Sequence, residues 1–342
     1  MSDFSQINSF RQESLTGVVR KFPRPTNLLG LNMLPEKKVD GNVAKWDIVE
    51  GPRKIGSFVA VGAPAVQVAG LKKTPETAMM MRVPLEQFLD AGDLLYARAP
   101  GTIDTAYIDY INGKLVEELG TLGQYIDTTK EYAAWQALVA GSITVSQSNG
   151  VIFTANTGYA ASHLNVVPAV LWTTTATADP GKDFTAWTNT IEQDAGISVG
   201  DPGELKIVMN RITNGYMCSV VLARGSSFSD SMRREAEAGL LTSWGGYSIT
   251  VYNGSYVDAN GTITKYIADG KVFIAVGNDW GEMQVGTCLV PPDRDNGMPK
   301  KVQGRASWAE IKRNPVSISL FEEENFLPVI KKVENILVAD VN

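Results

Sequence analysis

A single apolar stripe dominates this chain. Ile103, Tyr107, Ile111, Leu115, Leu119, Leu122 and Ile126 recur at three- or four-residue spacing, and Trp135, Leu138 and Val139 continue the series. That is the one-face signature of an α-helix. Thr102 is placed to cap it, Asp104 lies in the first turn where the helix dipole favours acid, and Gly141 offers a C-terminal stop. At about 1.5 Å per residue, a helix of about 40 residues runs about 60 Å, more than a small core needs. Gly113, Gly120 and Gly123 weaken it and allow a bend or break near Gly120. A coiled coil is the rival reading, but the stripe keeps no strict heptad with charged flanks.

The second constraint is irregular. Strands are expected at 44–49 and 77–83, the latter carrying Met79, Met80 and Met81. Between them Gly51-Pro52, Gly56, Gly62, Pro64, Gly70 and Pro75 are mixed with Ile55, Phe58, Val59, Val61, Val66 and Val68. Glycine and proline punctuate too often for a helix or a central strand. A long apolar loop of this kind is either a partner-binding element or a sheet edge packed on its own domain, and both readings stand. Upstream, Phe22-Pro23-Arg24-Pro25 forbids helix, so residues 1 to about 40 read as an extended arm. Leu28, Leu29, Leu31, Met33 and Leu34, closed by Pro35, need burial but make no core of their own.

Beyond the helix, Asn149-Gly150 between two β-rich runs predicts a hairpin over 142–154, and Asn260-Gly261 a second one over 256–267. Asp179-Pro180-Gly181 opens a helix with Phe184, Trp187 and Ile191, and a further helix is expected over 229–241. Strands are expected at 205–209, 247–252 and 272–276, and the tail after Val316 is β-rich again. The class is α+β with mostly antiparallel character.

Chemistry is hard to find. The chain has 342 residues and one histidine, His163, which reads as structural rather than as a general base. No G-x-S-x-G elbow surrounds a serine, and Cys218 and Cys288 lie in apolar runs without a C-x-x-C spacing. One histidine and two dispersed cysteines cannot supply a zinc set. Asp179-Pro180-Gly181-Lys182 ends like a phosphate loop but has Ala176 for the earlier glycine and Asp183 after the lysine. Glu322-Glu323-Glu324 could bind a cation, but is read as a solvated turn between strands. We therefore expect no enzyme, no cofactor and no metal. The net charge is −6, and Lys and Arg are scattered, which argues against tight DNA binding. No apolar run approaches the roughly 20 residues of a membrane span, and the first residues lack a signal-peptide pattern, so the cytoplasm is the expected place of synthesis.

The segment Val251-Tyr252-Asn253-Gly254-Ser255-Tyr256-Val257-Asp258, with Asn260-Gly261 and Tyr266-Ile267, resembles the hairpin of lambda-type tailed-phage major capsid proteins, the phage capsid E family. Asp269-Gly270-Lys271 and the strand 272–276 resemble its following turn and strand, Gly286-Thr287-Cys288 its small-residue segment, and 315–342 its closing strands. One departure is Ala268-Asp269-Gly270, where the family would place a proline. The order of arm, long loop, long helix and mixed region is also similar to the family order.

This resemblance implies a Hong Kong 97-type capsid fold: an N-terminal arm (1–40), an extended β-hairpin loop (41–84), a peripheral domain with the long spine helix (85–159 and 301–342) and an axial domain (160–300). It implies a self-assembling subunit of an icosahedral head, arranged in hexamers and pentamers around double-stranded DNA that it does not read. Scaffolding, portal and decoration proteins would be its further partners, and no membrane is involved. The virion is the implied location, with the host cytoplasm as the site of assembly. The residues expected at subunit contacts are Phe22, Leu28, Leu31, Arg53, Lys54, Phe58, Val59, Val61, Val66, Val68 and Met80. Lys54, Lys72 and Lys73 have no context diagnostic of covalent cross-linking, which is not expected. An encapsulin-like cargo compartment and an unrecognised α+β enzyme are the alternatives.

Overall fold

The computed structural model describes residues 15, 27–50, 72–89, 104–147, 150–199, 204–258, 260–292, 298–313 and 316–342. In chain order the elements are α1 (Leu29–Met33), β1 (Glu36–Lys38), β2 (Val43–Glu50), β3 (Lys72–Met79), β4 (Met81–Leu89), α2 (Asp104–Trp135), β5 (Ser142–Gln147) and β6 (Gly150–Asn156). There follow β7 (Leu164–Val166), α3 (Pro180–Ala195), β8 (Leu205–Met209), α4 (Arg211–Ala223), α5 (Asp230–Glu237), β9 (Ser243–Trp244), β10 (Tyr247–Val251), β11 (Ser255–Val257) and β12 (Ile263–Lys265). The last are β13 (Lys271–Val276), β14 (Gly281–Val285), β15 (Thr287–Val290), β16 (Lys300–Gln303), β17 (Ala306–Arg313), β18 (Val316–Ile330) and β19 (Ile336–Asp340).

The long stripe does fold as one helix. Helix α2 runs unbroken through Gly113, Gly120 and Gly123, and a π turn, Gln136–Ala140, extends it to Gly141. Gly141 has φ +70°, the left-handed stop that glycine adopts at least cost. Leu115, Leu119, Leu122, Ile126, Trp135 and Leu138 on the stripe are all buried. The chain packs as two compact units: Met1–Ala44 with Thr77–Glu131 and Met283–Leu327, and Lys45–Glu76 with Tyr132–Glu282 and Pro328–Asn342.

In the first unit a sheet runs in the order β1-β14-β18-β17, with β4 also paired to β18. Strand β18 is the spine of this sheet, aligned with β17 from Val316 to Glu323 and with β4 from Ile318 to Phe326. Trp308 and Phe321 stand opposite each other on β17 and β18 and stack at 5.3 Å between ring centres. Leu115 and Leu122 pack against Leu89, Ile318 and Leu320. Burying aliphatic side chains of this kind contributes about 1.5–3 kcal/mol each, which ties the helix to the sheet.

The second unit holds a six-stranded sheet in the order β7-β19-β13-β8-β10-β9. Strands β19 and β8 flank β13 antiparallel, while β10 joins β8 and β7 joins β19 in parallel. Strand β13 reads as a continuous apolar run because Val272 to Val276 are all buried. Trp172, Phe184, Trp187, Met217 and Val221 share one core cluster with Ile274 and Leu337. Helix α3 starts as its sequence dictates, with the Asp179 carboxylate accepting from the Lys182 amide and Pro180 in the first turn. Strands β2–β3, β5–β6, β11–β12 and β15–β16 form separate two-stranded ladders. Antiparallel pairing predominates among the described strands, so the molecule is α+β.

Candidate assembly elements and a buried ion cluster

Of the residues expected at subunit contacts, Phe22, Arg53, Lys54, Phe58, Val59, Val61, Val66 and Val68 lie outside the described residues. Leu28 and Leu31 are half-buried, at the entry to and within α1. Met80 is buried between β3 and β4, where its amide donates to the Asn42 carbonyl at 2.9 Å. Its sulfur sits over Gly286, where an added Cβ would lie 2.5 Å from Sδ and 2.7 Å from the Gly41 carbonyl oxygen. The small-residue segment noted in the sequence is thus a place of close backbone approach. Gly286→Ala is expected to destabilise the protein by about 1–3 kcal/mol through overpacking, read from the chemical denaturation midpoint. An unchanged midpoint would mean the Gly41 backbone moves aside freely.

The turn at Asp269-Gly270-Lys271 is fixed by side chains at the start of α4. Asn210 caps α4 by accepting from the Thr213 amide at 2.8 Å, and its side-chain amide donates to the Ile267 carbonyl at 3.1 Å and to Asp269 Oδ1 at 2.6 Å. The Gly270 amide donates to Thr213 Oγ1 at 2.9 Å. Gly270 has φ +83°, and a Cβ there would meet Asn342 at 2.4 Å, so the turn admits only glycine without strain. The hairpin β11–β12 beside it is held by rings. Tyr132 lies 4.8 Å from Tyr256, Tyr256 5.3 Å from Tyr266, and Trp135 stacks on Tyr252 at 5.5 Å and meets Phe273 edge-on at 6.0 Å. At its tip Val257 and Ile263 pair across the strands and are 65% and 74% exposed.

The acid run is where the sequence reading fails. Glu322, Glu323 and Glu324 are not a solvated turn; they lie within β18 and are buried. Side chains alternate along a strand, so Glu322 and Glu324 face one way and Glu323 the other. Glu323 meets Arg82 at 2.6 Å. Arg305 reaches Glu324 at 3.0 Å, Glu322 at 3.5 Å and Asp127 more closely still. Lys130, fully buried, spans Glu324 at 2.9 Å and Glu36 at 2.5 Å. Its neighbour Glu131 accepts from the amides of Gly30 and Leu31, both at 2.8 Å. These charges therefore join α2, β18 and the N-terminal segment 30–36. Gly123 makes room, since a Cβ there would press on Arg305 at 3.2 Å.

The electrostatics follow from burial and partners. Burial pushes the Glu322 carboxyl up to about 8, against the pull of Arg305. Burial works against the Glu324 charge too, yet Lys130 and Arg305 outweigh it and hold that carboxyl below its ordinary value. Burial and then Glu323 push the Cys288 thiol up to about 12, which keeps it an inert buried hydrophobe. One signal for the cluster was present in the sequence: Lys130 lies four residues after Ile126, on the buried stripe of the helix.

His163 is a cross-tie in the second unit, with Nδ1 2.7 Å from the Ile336 carbonyl and Nε2 2.9 Å from Asp194. Among the described residues no group of three or more His, Cys, Asp or Glu side chains is arranged to hold a metal ion. Among them, too, no helix is long and apolar enough to cross a membrane.

A family model described as phage major capsid protein E matches residues 11–339. A crystal structure described as a capsid protein of a prophage of Escherichia coli CFT073 superposes with a TM-score of 0.60 at 14% identity, covering 97% of this chain and 99% of that one. A phage-related protein from Bordetella bronchiseptica RB50 superposes with a TM-score of 0.52 at 13% identity, covering 95% of each chain. Comparison with curated proteins gives no match. At such identities the structures share the fold, and the family match is what speaks to function.

Proposed function

The chain belongs to the phage major capsid protein E family, and from that premise we propose that it builds an icosahedral tailed-phage head enclosing double-stranded DNA. It is a structural protein of the virion with a Hong Kong 97-type α+β capsid fold. The observation that carries the proposal is the family match, which runs through both compact units and leaves few residues outside it.

Within that reading, residues 1–40 serve as the arm and 41–84 as the extended loop. Residues 85–159 with 301–342 form the peripheral domain, and 160–300 the axial domain. These are functional parts; the compact units divide the chain differently, placing 283–327 with the first unit and 328–342 with the second. The apolar, Gly- and Pro-punctuated stretch between β2 and β3 supports the loop assignment, since such surface is stable only when covered. In this reading Arg53, Lys54, Phe58, Val59, Val61, Val66 and Val68 of the loop contact a neighbouring copy, as do Phe22, Leu28 and Leu31 of the arm. Met80 anchors the root of the loop. The net charge of −6 suits a container that must release its DNA, and argues for enclosure without sequence-specific binding. Assembly takes place in the host cytoplasm with scaffolding, portal and decoration proteins as partners, and the subunit acts structurally rather than catalytically.

Electron microscopy of the purified protein is expected to show closed shells, with DNA rather than cargo protein inside those recovered from infected cells. A protein that stays a monomer or small oligomer under assembly conditions would end this reading, and cargo enzyme inside would favour a compartment instead. Deleting residues 53–74 is expected to abolish shells while leaving a cooperative thermal transition. A deletion variant that unfolds throughout would show that the loop belongs to its own subunit's core.

A further inference from the structure

Among the described residues of the first unit, Glu36, Asp127, Glu322 and Glu324 gather around two cations, Lys130 and Arg305. The bonds are distributed unequally. Lys130 is committed to Glu36 and Glu324, while Arg305 is committed to Asp127, to Glu324 and, through Nη1, to the Gly123 carbonyl at 3.5 Å. Among the described residues, neither oxygen of Glu322 has a hydrogen-bond partner, although its side chain is fully buried.

We propose that this cluster is a proton-gated clamp, in which a proton on Glu322 keeps helix α2, strand β18 and the N-terminal segment 30–36 joined, and its loss loosens them. This inference goes beyond shell assembly and does not depend on it. A buried carboxylate without a hydrogen-bonded partner is far costlier than the neutral carboxyl in the same place, which has no charge to desolvate. The proton therefore belongs on the least-bonded member, and the raised value near 8 for Glu322 agrees with the geometry. Once it ionises, Glu322, Glu324 and Asp127 compete for one guanidinium, and the Arg305 bonds that reach α2 weaken. The release reaches the N-terminal segment because Glu324 also holds Lys130, which holds Glu36.

Among the described residues, charged groups face the cluster from each packed element. Helix α2 offers Asp127 and Lys130, the residue before β17 offers Arg305, β18 offers Glu324, and the N-terminal segment offers Glu36 beyond Lys130. Glu323, Arg82 and Cys288 lie on the opposite face of β18. The sign is fixed by linkage. A carboxyl raised from an ordinary value of 4.5 to about 8 gives stability that is fully present below about 4.5 and lost progressively until about 8. Glu324, lowered instead, acts at the acid end of this range, and Cys288 titrates far above it.

The test compares wild type with Glu322→Gln, which keeps the shape and cannot ionise. The gap between their melting midpoints is expected to widen from pH 5 to pH 8 by about 5 °C in favour of the variant. Amide exchange of residues 28–38, corrected for the intrinsic rate, is expected to accelerate above pH 8 in wild type only. Parallel midpoint curves, or equal acceleration in both proteins, would overturn the clamp. Glu322→Met serves as a second variant, because an apolar side chain of similar length should be as pH-indifferent as glutamine. If neither variant folds, the site requires the carboxylate itself and the inference is wrong.

Discussion

Lys130→Ala is expected to lower the unfolding free energy by about 3–5 kcal/mol, the cost of stranding buried charge. The ammonium is fully buried, lies over the Phe326 ring at 5.7 Å and is shared between Glu36 and Glu324. Removing it leaves the Glu36 and Glu324 carboxylates without the cation that they share. Urea denaturation monitored by tryptophan fluorescence measures the loss directly. A loss below about 1 kcal/mol, the size expected of a surface pair, would show that the cluster is hydrated and not a buried network. The same substitution should strip protection from the N-terminal segment, since Glu36 loses its tie to the helix. Lys130→Met, which restores the packing without the charge, is expected to recover little, because both carboxylates remain.

Trp135→Ala is the second large effect, about 3–5 kcal/mol, from transfer and cavity terms together. Trp135 is 1% exposed in the last turn of helix α2, between the Tyr252 and Phe273 rings. The loss should not be confined to stability. Tyr252 also stacks near Tyr266, and Tyr266 near Tyr256, so the hairpin β11–β12 loses part of its support. Near-ultraviolet circular dichroism should therefore lose intensity beyond the contribution of one indole. A variant that melts within about 1 kcal/mol of wild type would mean that the ring stack is not what holds this corner together.

How far the sequence went can be traced through particular residues. The helix over 104–135, the strand over 205–209, the capped start at Asp179-Pro180 and the Asn-Gly hairpins were legible because periodicity and turn chemistry are local. Helix α4 was not, for Ile212, Thr213, Val220 and Val221 carry β propensity and no charge lies between Arg211 and Arg224. Its Asn210 cap and the burial of Met217, Val220 and Val221 against the second core decide the matter, and both are tertiary facts. The acid run misled for a related reason. Three consecutive glutamates look solvated by composition, and only Arg305, Arg82 and Lys130, brought from far along the chain, make their burial affordable. The glycine at 123 looked like a weak point in a helix and is instead the space into which Arg305 fits.

Strand β19 occupies an interior position of the six-stranded sheet, with Ile336 to Ala339 fully buried and β7, half the chain earlier, lying alongside it. The sheet therefore cannot close during translation until strand β19 has left the ribosome. A nascent chain that stops short of 336 exposes the open edges of β13 and β7 and cannot complete its second core. Slow, non-local closure of this kind also makes the unfinished polypeptide dependent on protection from aggregation while it is being made.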